Sequence, residues 1–278
     1  MSSYLRPTAL SEALDALSEG GRTIVAGGTD FYPARVGKPI DENVLDVTAI
    51  DGLGSIEERG DHYFIGAGAT WTDLIRADLP DWFRSMKLAA REVGGMQIQN
   101  AGTIVGNVCN ASPAADGAPG LVALDAFVRL ASVSGERDIP VSEFVLGNRR
   151  TARKGDELVI GLSIPKCSNG ARSTFLKLGA RKYLVISIVM VSAVLEKAAD
   201  GTVGRCRVAV GSCSEVATRL PSLEALLFGK PADAGLVNLV TEEHLLPLSP
   251  IGDVRGSADY RRDAALTLVQ RALTELTE

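Results

Sequence analysis

At 278 residues, 46% hydrophobic and 23% charged, the chain is long enough to bury a large core and to hold two domains. Its formal charge of −5 and the lack of any long basic run argue against nucleic acid as a partner, because phosphate backbones call for a basic face. The short pairs Arg149-Arg150 and Arg261-Arg262 read as solvated surface.

No basic start followed by an apolar stretch marks a signal peptide at the N-terminus. The most apolar run, Leu184 to Leu195, is too short to span a bilayer and reads as a buried strand or strand pair. A cytoplasmic protein is expected. Four cysteines (Cys109, Cys167, Cys206, Cys213) form no C-x-x-C, and His62 and His244 are far from them in sequence, so no metal site is expected. Reduced cysteines suit the cytoplasm.

In chain order, Leu10, Ala13, Leu14 and Leu17 lie on one helical face, and Gly20-Gly21 stops that helix. Thr23 to Ala26 and Asn43 to Val47 read as strands, making a first small α/β lobe to about residue 55. Tyr63 to Gly66 reads as a strand. Thr70 or Thr72 is placed to cap a helix carrying Leu74 and Ile75. Trp82 to Glu92 reads as helix. Trp71 and Trp82 are read as core, with stacking on a flat ring as the alternative. Pro119 to Leu124 reads as a short helix, Phe127–Ser132 with Gly135–Ile139 as a hairpin, and Glu157 to Ile164 as a strand. Lys166 to Gly170 is the linker candidate. Beyond it, Ser173–Leu178, Ile186–Glu196 and Val203–Val210 read as strands, then Pro221–Phe228, Ala232–Glu242 and Ala258–Leu276 as helices. Strands followed by helices predict an α+β layer, a sheet backed by helices.

Two stretches stand outside this pattern. Gly94 to Asp116 carries Gly94, Gly95, Gly102 and Gly106, three asparagines (Asn100, Asn107, Asn110), and a single charge, Asp116. It shows neither helical nor strand period and reads as a coil of free N–H groups, of the kind that holds an anion. The other reading is a long glycine-rich turn without a ligand. Ile24 to Phe31 is an apolar strand running into Gly27-Gly28-Thr29. Two glycine turns about seventy residues apart suggest a diphosphate held by dipoles and hydroxyls instead of cations. Neither G-x-G-x-x-G opening a helix nor G-x-x-x-x-G-K-[ST] is present, so a Rossmann fold and a P-loop are unsupported.

AGGTD (26–30), IGAGATWTDL (65–74), QIQNAGTIVGNVCNASPAAD (97–116) and PGLVALDAFVRL (119–130) resemble the FAD-binding medium subunit of molybdenum hydroxylases. That family includes carbon monoxide and xanthine dehydrogenases. The resemblance covers nearly the whole chain. It implies an α+β fold, with a two-lobed FAD-binding (PCMH-type) domain over 1–168 (lobes about 1–55 and 56–168). A smaller α+β domain over 169–278 would follow.

The resemblance also implies a site. Ile24, Val25, Ala26, Gly27, Gly28, Thr29, Asp30 and Phe31 would line the FAD diphosphate, with Thr103, Ile104, Val105, Gly106 and Asn107 on its other side. Asp116 would accept from ribose or adenine groups. Val93 and Phe31 would flank the ring system, Val159 would touch the nucleotide, and Lys177 would approach the flavin's pyrimidine edge or, alternatively, form a surface salt bridge. No catalytic acid, base or nucleophile is expected, because flavin chemistry needs mainly binding and orientation. Two departures from the family pattern are Val105 in place of a glycine before Gly106-Asn107, and Lys182-Tyr183-Leu184 after Arg181.

The partners implied are a molybdopterin-binding large subunit and a small subunit with [2Fe–2S] clusters, assembled as a dimer of heterotrimers. In that setting this chain would pass electrons to an external acceptor. A stand-alone FAD oxidoreductase is the alternative, and a flavin-free scaffold a third reading.

Overall fold

The computed structural model describes residues 2–278. The fold is α+β. The first lobe is a parallel sheet of β1 (Tyr4–Leu5), β2 (Arg22–Val25) and β3 (Asn43–Asp46), in the order β1-β3-β2. Helix α1 (Leu10–Ser18) buries Ala13, Ala16 and Leu17, the face given by its spacing. Each parallel strand ends on the same side, so the turn after β2 is free to reach across to the second lobe.

The second lobe begins with β4 (Ile56–Arg59) and β5 (His62–Gly66). Helix α2 (Trp71–Arg76) follows, and Thr70 caps it in a reciprocal capping box with Asp73. Then come α3 (Arg84–Glu92), α4 (Met96–Ala101), α5 (Ile104–Asn110) and α6 (Gly117–Ala123). The segment 94–116, expected as coil, therefore holds two short helices. Each has only six or seven residues, fewer than two turns, too few for a 3.6-residue repeat to show. Pro119 is the third residue of α6, not its first.

The hairpin β6 (Phe127–Ser132) and β7 (Gly135–Pro140) lies as expected. A helical turn α7 (Val141–Phe144) and a two-stranded ladder, β8 (Val145–Gly147) with β9 (Arg150–Thr151), lead to β10 (Leu158–Pro165). The antiparallel sheet runs β4-β5-β10-β6-β7. Central β10 is buried over Leu158–Ile164, which explains its unbroken apolar character. A bulge between Val159 and Gly161 disturbs its pairing with β6.

The last part is the antiparallel sheet of β11 (Arg172–Leu178), β12 (Val189–Lys197), β13 (Val203–Gly211) and β14 (Thr218–Arg219). Helix α8 (Pro221–Leu227) packs on β13, and α9 (Ala258–Thr277) packs on β11 and β12. Helices α3 and α6 cover the sheet from the other side. Strand β12 is thus covered on both faces, and its run of Val, Met and Ala follows from that. The apolar stretch before it, 184–187, is not strand, and Leu184 and Ile186 are exposed. In place of the helix expected over 232–242 there is a 3₁₀ segment, Ala234–Leu239, opened by the Asp233 side chain. No helix among the described residues is long and apolar enough to cross a membrane.

Candidate flavin site

Where the lobes meet, a cavity of about 570 Å³ opens between the turn after β2 and helix α5. That size falls within the usual range for a ligand pocket, roughly 300–1,000 Å³. Ile24 through Phe31 all line it, together with Val93, Thr103, Val105, Gly106, Asn107 and Val159.

The two glycine segments are in direct contact. A Cβ on Gly27 would run into the Ala101 carbonyl and come 2.9 Å from the Gly102 Cα. Gly28 has φ +68°, a left-handed backbone, and a Cβ there would meet the Tyr32 ring at 2.5 Å. This pinched turn leaves the N–H groups of Gly27, Gly28, Thr29, Asp30 and Phe31 without a backbone or side-chain acceptor among the described residues. Successive unpaired N–H groups around a concavity suit an anionic ligand.

Across the cavity, Thr103 caps α5, its hydroxyl accepting from the Gly106 N–H at 2.9 Å. Its carbonyl accepts from the Asn107 N–H at 3.1 Å. The buried Oδ1 of Asn107 has no partner among the described residues. Asn107 lines the cavity, but this oxygen is covered by protein near Gly117, so the fit to a dinucleotide rests on the free donors of the turn and the Thr103 hydroxyl. At the floor, Val159 sits at the β10 bulge. Phe31 is held by its neighbours: the Arg35 guanidinium lies 3.7 Å from its ring centroid, and Tyr32 meets it edge-on.

Three expected site residues do not line the cavity. Ile104 is fully buried behind the wall. Asp116 and Lys177 pair with each other at 2.9 Å, nearly out of solvent. Burial pushes the Asp116 carboxyl above the usual range, and Lys177 and a 2.7 Å hydrogen bond from the Ser187 hydroxyl oppose the rise. Trp71 is buried at the cavity's edge, and Trp82 stacks on Phe83 in the core at 4.3 Å between ring centroids.

The cavity also has cations that the sequence reading left out: Arg22, Arg35, Arg149 and Arg153. Arg35 is held bidentate by Glu42 at 2.8 and 2.9 Å, and Arg22 faces Glu19 at 3.6 Å. Arg149 was read as solvated surface because its approach to the cavity depends on tertiary contacts with Asn110 and Asp30. Cys109 and Asn110, at the end of α5, complete that side.

Comparisons with known proteins agree along the whole chain. The family described as the FAD binding domain in molybdopterin dehydrogenase matches residues 1–167, and the CO dehydrogenase flavoprotein C-terminal domain matches residues 174–276. The nicotine 6-hydroxylase medium subunit of Paenarthrobacter nicotinovorans is 28% identical over 277 residues, covering 98% of this chain and 96% of that protein. The caffeine dehydrogenase subunit beta of Pseudomonas sp. (strain CBB1) is 30% identical over 285 residues, covering 99% and 94%. The solved carbon monoxide dehydrogenase of Hydrogenophaga pseudoflava superposes with a TM-score of 0.87 at 28% identity, over 99% of this chain and 96% of that one. By its two matched domains and its fold, this chain belongs to the FAD-binding family of molybdopterin dehydrogenases, as an oxidoreductase subunit whose cofactor is FAD.

Proposed function

We propose that this chain is the electron-transfer subunit of a cytoplasmic molybdenum hydroxylase. It works beside a molybdopterin-binding large subunit and a [2Fe–2S] small subunit, in a dimer of heterotrimers. The observation that carries this reading is the apposition of the 26–31 turn and the start of α5 at one cavity, with five N–H groups of the turn free of an acceptor among the described residues. Residues 1–168 then form the flavin-binding domain and 169–278 a domain that buttresses it.

The residues have binding roles. The 27–31 amides and the Thr103 and Asn107 side chains would hold the diphosphate, while Val93 and Phe31 would give apolar surface to the ring system. FAD, when bound, would supply the redox chemistry that links the iron–sulfur partner to an external acceptor. The cavity wall offers no histidine, lysine or tyrosine, and its one carboxylate, Asp30, is 59% exposed. That composition favours electron transfer over turnover of a substrate by this chain alone, since no group is set to move a substrate's proton.

Purification of the native protein from its source tests the reading, with flavin, iron and molybdenum assayed in one peak and the mass of the assembly measured. The expected result is co-elution of three subunits carrying all three. The isolated chain should be yellow and reduce dyes at most. Substrate turnover by the lone chain, or Gly28→Val protein retaining full flavin, would refute it.

A further inference from the structure

We propose that Arg149 and Arg153 form the part of the cavity that reads the adenosine-diphosphate half of the cofactor, so that the site selects FAD over FMN. The inference rests on the flavin reading above.

Arg149 sits on the turn joining β8 and β9, with φ +59°. Its N–H donates to the Ala111 carbonyl at 2.9 Å, and Ala111 is itself left-handed at φ +49°. Two non-glycine residues in that region, bonded to one another, mark a turn held by its surroundings. The fastening puts the Arg149 side chain at the end of α5, on the Asn110 amide and 3.8 Å from Asp30 of the opposite lobe. Arg153 follows β9. Its Nη1 donates to the carbonyls of Lys154 at 2.8 Å and Glu157 at 2.7 Å, which fixes the head without neutralising it. Among the described residues no carboxylate pairs with it, whereas Arg22 and Arg35 on the same cavity each have a glutamate. Arg153 lines the cavity together with Cys109 and Asn110 at the end of α5, where Cys109 is exposed.

Two arginines therefore lie at one end of the cavity, Arg149 sharing its charge with the exposed Asp30 and Arg153 without a carboxylate partner among the described residues. Helix α5 is seven residues long, so this end lies about 10 Å from Thr103. FAD and FMN share the ring system and one phosphate. They differ by the adenylate group, which is long enough to reach that far end. A guanidinium suits phosphate oxygens, which it meets with two parallel N–H donors.

The test is titration of the full chain, stripped of flavin, with FAD, FMN, ADP and adenosine, following flavin fluorescence or heat. Arg149→Gln and Arg153→Gln should each weaken FAD and ADP about tenfold, with FMN and adenosine unchanged. ADP binding should weaken with added salt in the parent protein and less so in the double variant. Arg149→Lys and Arg153→Lys, which keep the charge and guard against a folding artefact, should lose less than the glutamine variants. Equal losses for FAD and FMN, or no loss for FAD, would overturn the proposal. A parent chain that binds FAD and FMN equally tightly sinks this inference alone, whereas one that binds no flavin sinks the flavin reading.

Discussion

The ammonium of Lys177 on β11 lies 2.9 Å from Oδ2 of Asp116, the residue that opens α6, and the side chains are only 6% and 12% exposed. Lys177 also donates to the Glu92 carbonyl at the end of α3 at 3.3 Å, and Ser187 donates to the other Asp116 oxygen. The pair thus joins the segment beside the cavity to the sheet behind it. Lys177→Met leaves a buried carboxylate alone and is expected to cost about 3–5 kcal/mol. Asp116 already has a raised pKa from burial, and losing its cation raises it further. A raised acid favours the folded state at low pH and loses that contribution as pH climbs through the folded value. The deficit should therefore be smaller at pH 5 than at pH 8. Urea unfolding at both pH values checks this, with Lys177→Met/Asp116→Leu expected to recover much of the loss. If the lysine acted on the flavin instead, the reduction potential would move while the unfolding midpoint stayed.

Gly27 marks the point of contact between the two cofactor segments. Its missing Cβ is what lets the turn after β2 touch Ala101 and Gly102, and both obstacles are backbone that cannot rotate away. Gly27→Ala should push the turn off the junction of α4 and α5 and lower flavin content at least about tenfold, with far-UV circular dichroism retained. Gly54 faces open space without a left-handed backbone, so Gly54→Ala is the control and should keep its flavin. The ratio of absorbance at 450 and 280 nm in purified protein reads both.

The sequence and the structure part company where a signal needs length or a distant partner. Helix α1 and strand β12 were legible because each has an apolar pattern imposed by one packing environment along its length. Helices α4 and α5 were not, because six and seven residues give no repeat and their glycines suggest coil. The glycine turn at 27–28 was visible because its cause is local. Arg149 reads locally as surface. Only the bond from its N–H to Ala111 and the nearness of Asp30 bring it to the cavity. For the same reason the four arginines on the cavity wall went unread. The Lys177–Asp116 pair joins residues 61 positions apart, so each looked available to a ligand when read alone.

A second buried charge group fixes the same junction. Asp125, between α6 and β6, has φ +51° and accepts from Arg205 and Arg219 at 2.7 Å and Arg207 at 3.1 Å. Arg207 is 3% exposed and also binds Glu196 at 2.7 Å. Asn tolerates the left-handed backbone, so Asp125→Asn removes charge without strain. With the carboxylate a third open to solvent, the expected loss is about 2 kcal/mol, below that of a fully buried pair. Arg205→Ala, at an exposed arginine, should cost less than about 0.5 kcal/mol. Equal losses from the two variants would show that Asp125 is not the hub.

Acid sensitivity should trace in part to Asp253, at the turn before α9. Its carboxyl accepts from the Arg255 N–H at 2.8 Å and from the Arg261 and Arg255 guanidinium groups at 2.7 and 2.9 Å, which holds its pKa down to about 2. Arg261 in turn donates to the carbonyls of Ile188 and Ser212, so the turn anchors α9 to β12 and to the end of β13. An acid with a depressed folded pKa gives stability that is present above its unfolded value, near 4, and is lost as pH falls toward the folded one. Asp253→Asn should therefore destabilise the protein clearly at pH 6. The difference from the parent should shrink steadily between about pH 4 and pH 2, as the unfolded parent takes up the proton that the variant never carries. Denaturant unfolding midpoints of both proteins across that range measure it. A gap that stays constant down to pH 2 would show that the hydrogen bonds of the turn, and not its charge, hold α9 in place.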